Sequence, residues 1–196
     1  MEASPGKKER THDRIVEVAA RALRRNGFAG VGVAEVMREA GLTHGGFYAH
    51  FPSRDAMLRE ALERAGHDSA GRMAEVLAAR PPRGASAFKT YVEHYLSAGH
   101  VHGPGGGCPV AALAGELPRQ SPMLCAVGAD RVREVMSAVR GVLPGRAERG
   151  AAPVIAAQLV GAVQLARTLG NGPEGNAVLA AVRRHLLEQF DARGNQ

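Results

Sequence analysis

Tryptophan is absent from this chain of 196 residues, and aromatic side chains make up only 4% of it. Its core must be built mainly from Ala, Val and Leu, and the 45% hydrophobic content makes a sizeable one feasible. Cysteine is scarce, with only Cys108 and Cys125. The chain also opens with Lys7, Lys8 and Arg10 leading into an amphipathic pattern, not an apolar leader. Both features point to a reduced, cytoplasmic compartment.

Other signals are missing too. No stretch alternates polar and apolar residues, so strands are not expected. The longest apolar stretch, Ala151–Leu169, is interrupted by Pro153, Gln158, Gln164 and Arg167. It reads as a buried helix, since a membrane span needs about 20 mostly apolar residues. The glycine-rich HGPGGGC is followed by no GK[ST] and preceded by no strand, which speaks against a phosphate cradle. No G-x-S-x-G elbow occurs. Catalysis has no support, and no cofactor is implied.

What the chain does have is glycine and positive charge. Its 25 glycines are roughly twice the usual share and predict several helix stops and at least one mobile loop. A formal net charge of +6, with a pI near 10, favours a polyanionic partner.

Helical spacing recurs almost throughout. Ile15, Val18, Ala19, Ala22 and Leu23 predict a helix from about Thr11 to a stop at Gly27, behind a flexible basic tail over 1–10. A second helix is expected from Val33 to Ala40. Thr43 is placed to cap a third from His44 to Phe51, which Pro52 ends. Ser53 then caps a long helix reaching about Arg80, before Pro81-Pro82. Further helices are expected over Ser86–His100, Cys108–Leu117, Pro122–Val142, Ala151–Leu169 and Glu174–Phe190. The fold class is all-α.

The pieces VAEVMREA, GLT and HGGFYAHF make a short helix, a glycine-containing turn and a second helix, the helix-turn-helix arrangement. In that geometry the second helix enters the DNA major groove, N-terminal residues foremost. Thr43 and His44 would lead. The Gly45-Gly46 pair weakens the helix by about 1 kcal/mol each but lets a partner approach the backbone. Phe47 and Phe51 would anchor the helix from beneath.

The stretch GLTHGGFYAHFPSRDAML resembles the DNA-binding motif of the TetR family of bacterial transcriptional regulators, over roughly Thr11 to Leu62. The resemblance implies a recognition helix over 43–51 within an N-terminal three-helix DNA-binding domain, 11–56. It further implies a larger C-terminal helical domain, 57–196, for ligand binding and dimerisation. The chain would be a homodimer on double-stranded operator DNA, most simply a repressor that a small hydrophobic effector releases. By position, Thr43, His44, Gly45, Tyr48, His50 and Arg54 would touch DNA. The family's usual Ser or Thr at the start of the second helix is replaced here by Gly32-Val33.

For the effector, Phe88, Tyr91, His94, Tyr95, Leu117 and Gln164 are the candidate contacts, with His100 and His102 on the solvent side. Such a cavity would suit a neutral or weakly polar molecule. For the dimer, the apolar Ala151–Leu169 helix and the ridge of the last helix suggest a four-helix interface through Leu159, Val163, Val182, Leu186 and Phe190. The competing reading is a thiol- or metal-responsive protein using Cys108, or the cluster of His94, His100, His102 and Cys108. That cluster matches no structural-zinc spacing, so no metal is assigned.

Overall fold

In a computed structural model of the chain, residues 6–79, 85–103, 106–144 and 150–191 are described. Among them every regular element is helical. In order these are α1 (Lys7–Asn26), α2 (Val33–Glu39), α3 (Arg54–Ala78), α4 (Ala87–Tyr95), α5 (Ala98–His102), α6 (Pro109–Leu113), α7 (Pro122–Val142), α8 (Ala151–Leu169) and α9 (Pro173–Leu186). Short 3-10 turns cover His44–Ala49 and Leu117–Arg119, and a π-type turn over Leu187–Asp191 extends α9.

The apolar side chains divide into two cores. The first gathers α1, α2, Phe47, Phe51 and the first half of α3, including Leu58 and Leu62. It also takes Leu113, Leu117 and Leu124 from the second half of the chain. The second core runs from Met73 through α4–α9. The 25 residues of α3 therefore serve both cores. Packing continues across the expected boundary at 56/57, because a long helix with an apolar stripe has no reason to stop burying it there.

Several elements differ from expectation. The helix expected from Thr11 starts at Lys7, so residues 7–10 of the expected flexible tail are helical. Gly6 donates its N–H to the Glu9 carboxylate (3.3 Å), and the Thr11 hydroxyl donates to the Lys7 carbonyl (2.9 Å). The first of these contacts satisfies an N–H that the helix end leaves open. The helix expected over Ser86–His100 breaks into α4 and α5, because the Ser97 hydroxyl accepts the His100 N–H (3.2 Å) and caps a new start. The Cys108–Leu117 helix divides likewise into α6 and the turn at Leu117–Arg119, where Pro118 lacks an N–H. Helix α3 ends at Ala78, and the expected stop at Arg80, before Pro81-Pro82, lies outside the described residues.

Helix α8 is, among the described residues, the one long and apolar enough by composition to cross a membrane. Here one face of it is packed in the second core, where Ile155, Leu159 and Val163 are completely buried. The opposite face leaves Val154, Leu165 and Leu169 exposed. This corrects three of the expected dimer contacts. Leu159, Val163 and Leu186 point into their own protomer, and Phe190 packs edge-on to Phe88 at 6.1 Å. Val182 is half-buried against the same core. A ridge read from spacing alone cannot say which neighbour it meets, and here the neighbours lie within the chain.

Candidate DNA-reading surface and ligand cavity

The turn His44–Ala49 is 3-10 rather than α, as suits two adjacent glycines with low helix propensity. Thr43 takes the N-cap position with extended backbone, but its hydroxyl makes no capping bond. The turn is held instead by Gly46 N–H to the Thr43 carbonyl (3.1 Å) and by Phe51 N–H to the Phe47 carbonyl (3.0 Å). Phe47 and Phe51 are buried and stack on each other at 5.5 Å. His12 from α1 stacks on Phe51 at 4.5 Å, with its Nε2 2.6 Å from the Glu60 carboxylate of α3. Helices α1 and α3 thus clamp the turn from below. No local pattern in the sequence singles out His12 or Glu60, since their partnership spans 48 positions.

Above the clamp, Thr43, His44, Gly45 and Tyr48 are exposed, Tyr48 at 71%. A Cβ at Gly45 would meet nothing within 4 Å, so nothing inside the protein requires glycine there. His50 is half-buried. Burial first, then the charges of His12 and Lys8, hold its pKa below the usual value. Lys7, Lys8 and Arg10 are exposed on the opening turn of α1.

Arg54 is occupied differently from the phosphate contact the resemblance implies. Its Nε donates to the Val31 carbonyl (3.0 Å) and its Nη2 to the Phe28 carbonyl. The guanidinium ties α3 to the corner between α1 and α2. From the other side, the Glu116 carboxylate accepts the Phe28 N–H (2.9 Å). Gly27 makes room for it: with φ 69 it also ends α1, and a Cβ there would strike that carboxylate.

The second site is a cavity of about 360 Å³ between α3, α4, α6 and α7. Met73, Leu77, Val110, Val135 and Val142 supply much of its apolar wall. Tyr91, Tyr95, His100, Cys108, Arg131 and Glu134 are its principal polar and titratable members. Of the expected contacts, Tyr91 and Tyr95 line it. Phe88 is buried against Phe190, and Leu117 lies in the first core. Gln164 faces a separate open cleft with Arg24, Arg25, His102 and Arg167. His94 is half-buried, meets the His100 ring edge-on at 5.7 Å, and is not on the cavity wall.

His100 corrects the expectation of a solvent-side residue. It is 8% exposed and lies 4.6 Å from the Tyr95 ring. Its Nε2 accepts the Cys108 N–H (3.2 Å). Burial chiefly, then the charges of His94, Arg167 and Arg72, push its pKa down to about 3, so it is neutral at physiological pH. The turn that brings Cys108 back needs Gly107, whose φ is 82 and whose Cβ would come within 2.6 Å of the His100 carbonyl. Residues 104 and 105 of the expected hinge lie outside the described residues.

Tyr95 is almost fully buried. Burial first, then the neighbouring Cys108 thiol beside its hydroxyl, push its pKa well up. Both cysteines are free thiols, Cys108 in the second core and Cys125 donating to the Leu117 carbonyl (3.0 Å). Among the described residues, no three His, Cys, Asp or Glu side chains are grouped to hold a metal.

Comparison with known proteins agrees with this anatomy. Residues 15–61, which include Phe47, Phe51 and Glu60 of the clamp, match the family model for bacterial regulatory proteins of the tetR family. A stretch of 74 residues is 34% identical to the uncharacterised HTH-type transcriptional regulator YerO of Bacillus subtilis (strain 168), covering 36% of this chain. The match spans about a quarter (26%) of that curated relative's length. Similar solved folds extend over nearly the whole chain. A TetR transcriptional regulator from Chloroflexus aurantiacus J-10-FL aligns with a TM-score of 0.72 and 23% identity, over 92% of this chain and 93% of that one. The reduced form of NemR from E. coli aligns with a TM-score of 0.76 and 20% identity, over 92% and 97%. Residues 15–61 thus carry the sequence pattern of the tetR family of bacterial regulatory proteins, and the fold of solved regulators extends from that segment over nearly the whole chain.

Proposed function

We propose that this chain is a dimeric, ligand-responsive DNA-binding regulator that represses transcription until an effector fills the cavity. The observation that carries the reading is the pairing of two features in one chain: an exposed edge, Thr43 to Tyr48, on a buried aromatic clamp, and a cavity in the second core. On this reading the head, residues 11–56, reads DNA, and residues 57–196 bind the effector and the second subunit.

Thr43 and His44 face base edges, and the bare backbone at Gly45 allows close approach. Tyr48, His50 and the opening turn of α1 face phosphates. Arg54 braces the head, a role its two carbonyl partners support. Dimerisation uses the outward faces of α8 and α9, with Val154, Leu165 and Leu169 leaving water. These replace the inward-facing residues suggested by spacing. The effector shifts the population towards a separation of the two heads that no longer fits successive major grooves, about 34–36 Å apart.

Footprinting on the DNA upstream of the protein's own gene tests this directly. A protected palindrome, lost on adding a compound that raises the melting temperature, is the expected result. His44→Ala should relax preference at one base pair per half-site. Equal loss on random DNA would remove its base-reading role. A wild-type protein with no preference for any palindrome would refute the whole reading.

A further inference from the structure

The cavity wall carries two buried hydrogen-bond donors with no partner in the protein, the Nε and Nη1 of Arg131. A native structure leaves few such groups unpaired, and each one calls for an explanation. Arg131 lies flat against the backbone of Gly66, where a Cβ would come within 2.6 Å of its Cδ and Nη1. Its Nη2 reaches Glu134 at 2.7 Å, but that carboxylate is half exposed while the arginine side chain is 11% exposed. Glu134 is the one carboxylate on the wall.

The wall is also long. On α3 it runs from Gly66 to Leu77 and on α7 from Arg131 to Val142. Eleven residues of helix rise about 16 Å. Arg131 and Gly66 meet at one end of these two stretches, while Leu77 and Val142 close the other with apolar side chains.

We propose that the cavity takes an amphipathic monocarboxylic acid. Its carboxylate meets the free edge of Arg131, and its apolar body lies along Met73, Leu77, Val135 and Val142. A neutral carbonyl offers too few lone pairs for the guanidinium donors left open, whereas a carboxylate accepts several charge-assisted bonds. The assignment rests on the cavity being the effector site. It replaces the neutral molecule expected from the sequence with an acid.

The test uses the full-length dimer and needs no operator. Straight-chain carboxylic acids of increasing length, and primary alcohols of matching length, are titrated by calorimetry and thermal shift. Wild-type protein should bind acids at least about tenfold more tightly than the matching alcohols, the least a hydrogen bond to a charged group contributes. Arg131→Gln should remove that preference while leaving alcohol affinity unchanged, and Arg131→Lys should restore part of it. Glu134→Gln, at a half-exposed position, endangers no core and should tighten acid binding. Alcohols bound as well as acids, or an acid preference that survives Arg131→Gln, would overturn the proposal and leave the cavity reading intact. If neither series nor a panel of neutral apolar compounds binds, both fall together.

Discussion

The two cores of this molecule are built from different material. The first holds three of the chain's five phenylalanines, Phe28, Phe47 and Phe51, all 2% exposed or less, together with Met37 and Met57. The second relies on Ala, Val and Leu around Phe88, Tyr91 and Tyr95, and leaves a cavity of about 360 Å³. Large rigid rings stacked on one another hold a surface in fixed geometry, as a base-reading edge requires. Short aliphatic side chains on helices that meet at an angle leave space, and a few buried polar groups give that space a chemistry. On the proposed reading, one half holds still and the other is filled.

The strongest way to break this comparison is to hollow out the head. Phe47→Ala should cost about 3–5 kcal/mol and take DNA binding with it. Met73→Ala, on the wall of an existing cavity, should cost about 2 kcal/mol, the low end for such a truncation. Equal losses in denaturant melts would mean that the second core is as tightly packed as the first.

Acid should separate the halves next. His100 has an ordinary pKa of 6.5 when unfolded and about 3 when folded. Between those values the unfolded chain binds a proton that the folded chain refuses. Stability is therefore full above pH 6.5 and falls as pH is lowered towards 3, by up to about 1.4 kcal/mol per unit. His100→Gln should flatten that slope between pH 6.5 and 4. An unchanged slope would show that the folded protein can protonate His100 after all.

The bridge between the halves gives a smaller effect. Glu116→Ala leaves the Phe28 N–H without its acceptor and should cost about 1–3 kcal/mol, with faster hydrogen exchange at that amide. Slow exchange in the variant would mean that another group holds the corner.

The smallest effect on the protomer should come from its outer face. Leu165 is 59% exposed, so Leu165→Glu should change protomer stability by less than about 0.5 kcal/mol while giving monomers on sedimentation. Leu186→Glu should instead unfold the chain, because Leu186 is wholly buried within it. A dimeric Leu165→Glu would place the interface elsewhere.

Local patterns in the chain decided a good deal. All-α character, the limits of α7 and α8, and the inward pointing of Phe47 and Phe51 follow from spacing, proline positions and glycine stops, which act over a few residues. The helix-turn-helix was legible for the same reason, since its parts lie within about 20 consecutive positions. Tertiary packing decided the rest. It turned Arg54 onto two carbonyls, buried His100 against Cys108 and faced Leu159 and Leu186 inward. It also brought Arg131 against Gly66, 65 positions away, to make one end of a cavity. Helical periodicity says only that a residue faces something. What it faces depends on how helices distant in sequence cross, and that is fixed by side-chain volumes meeting across the whole core.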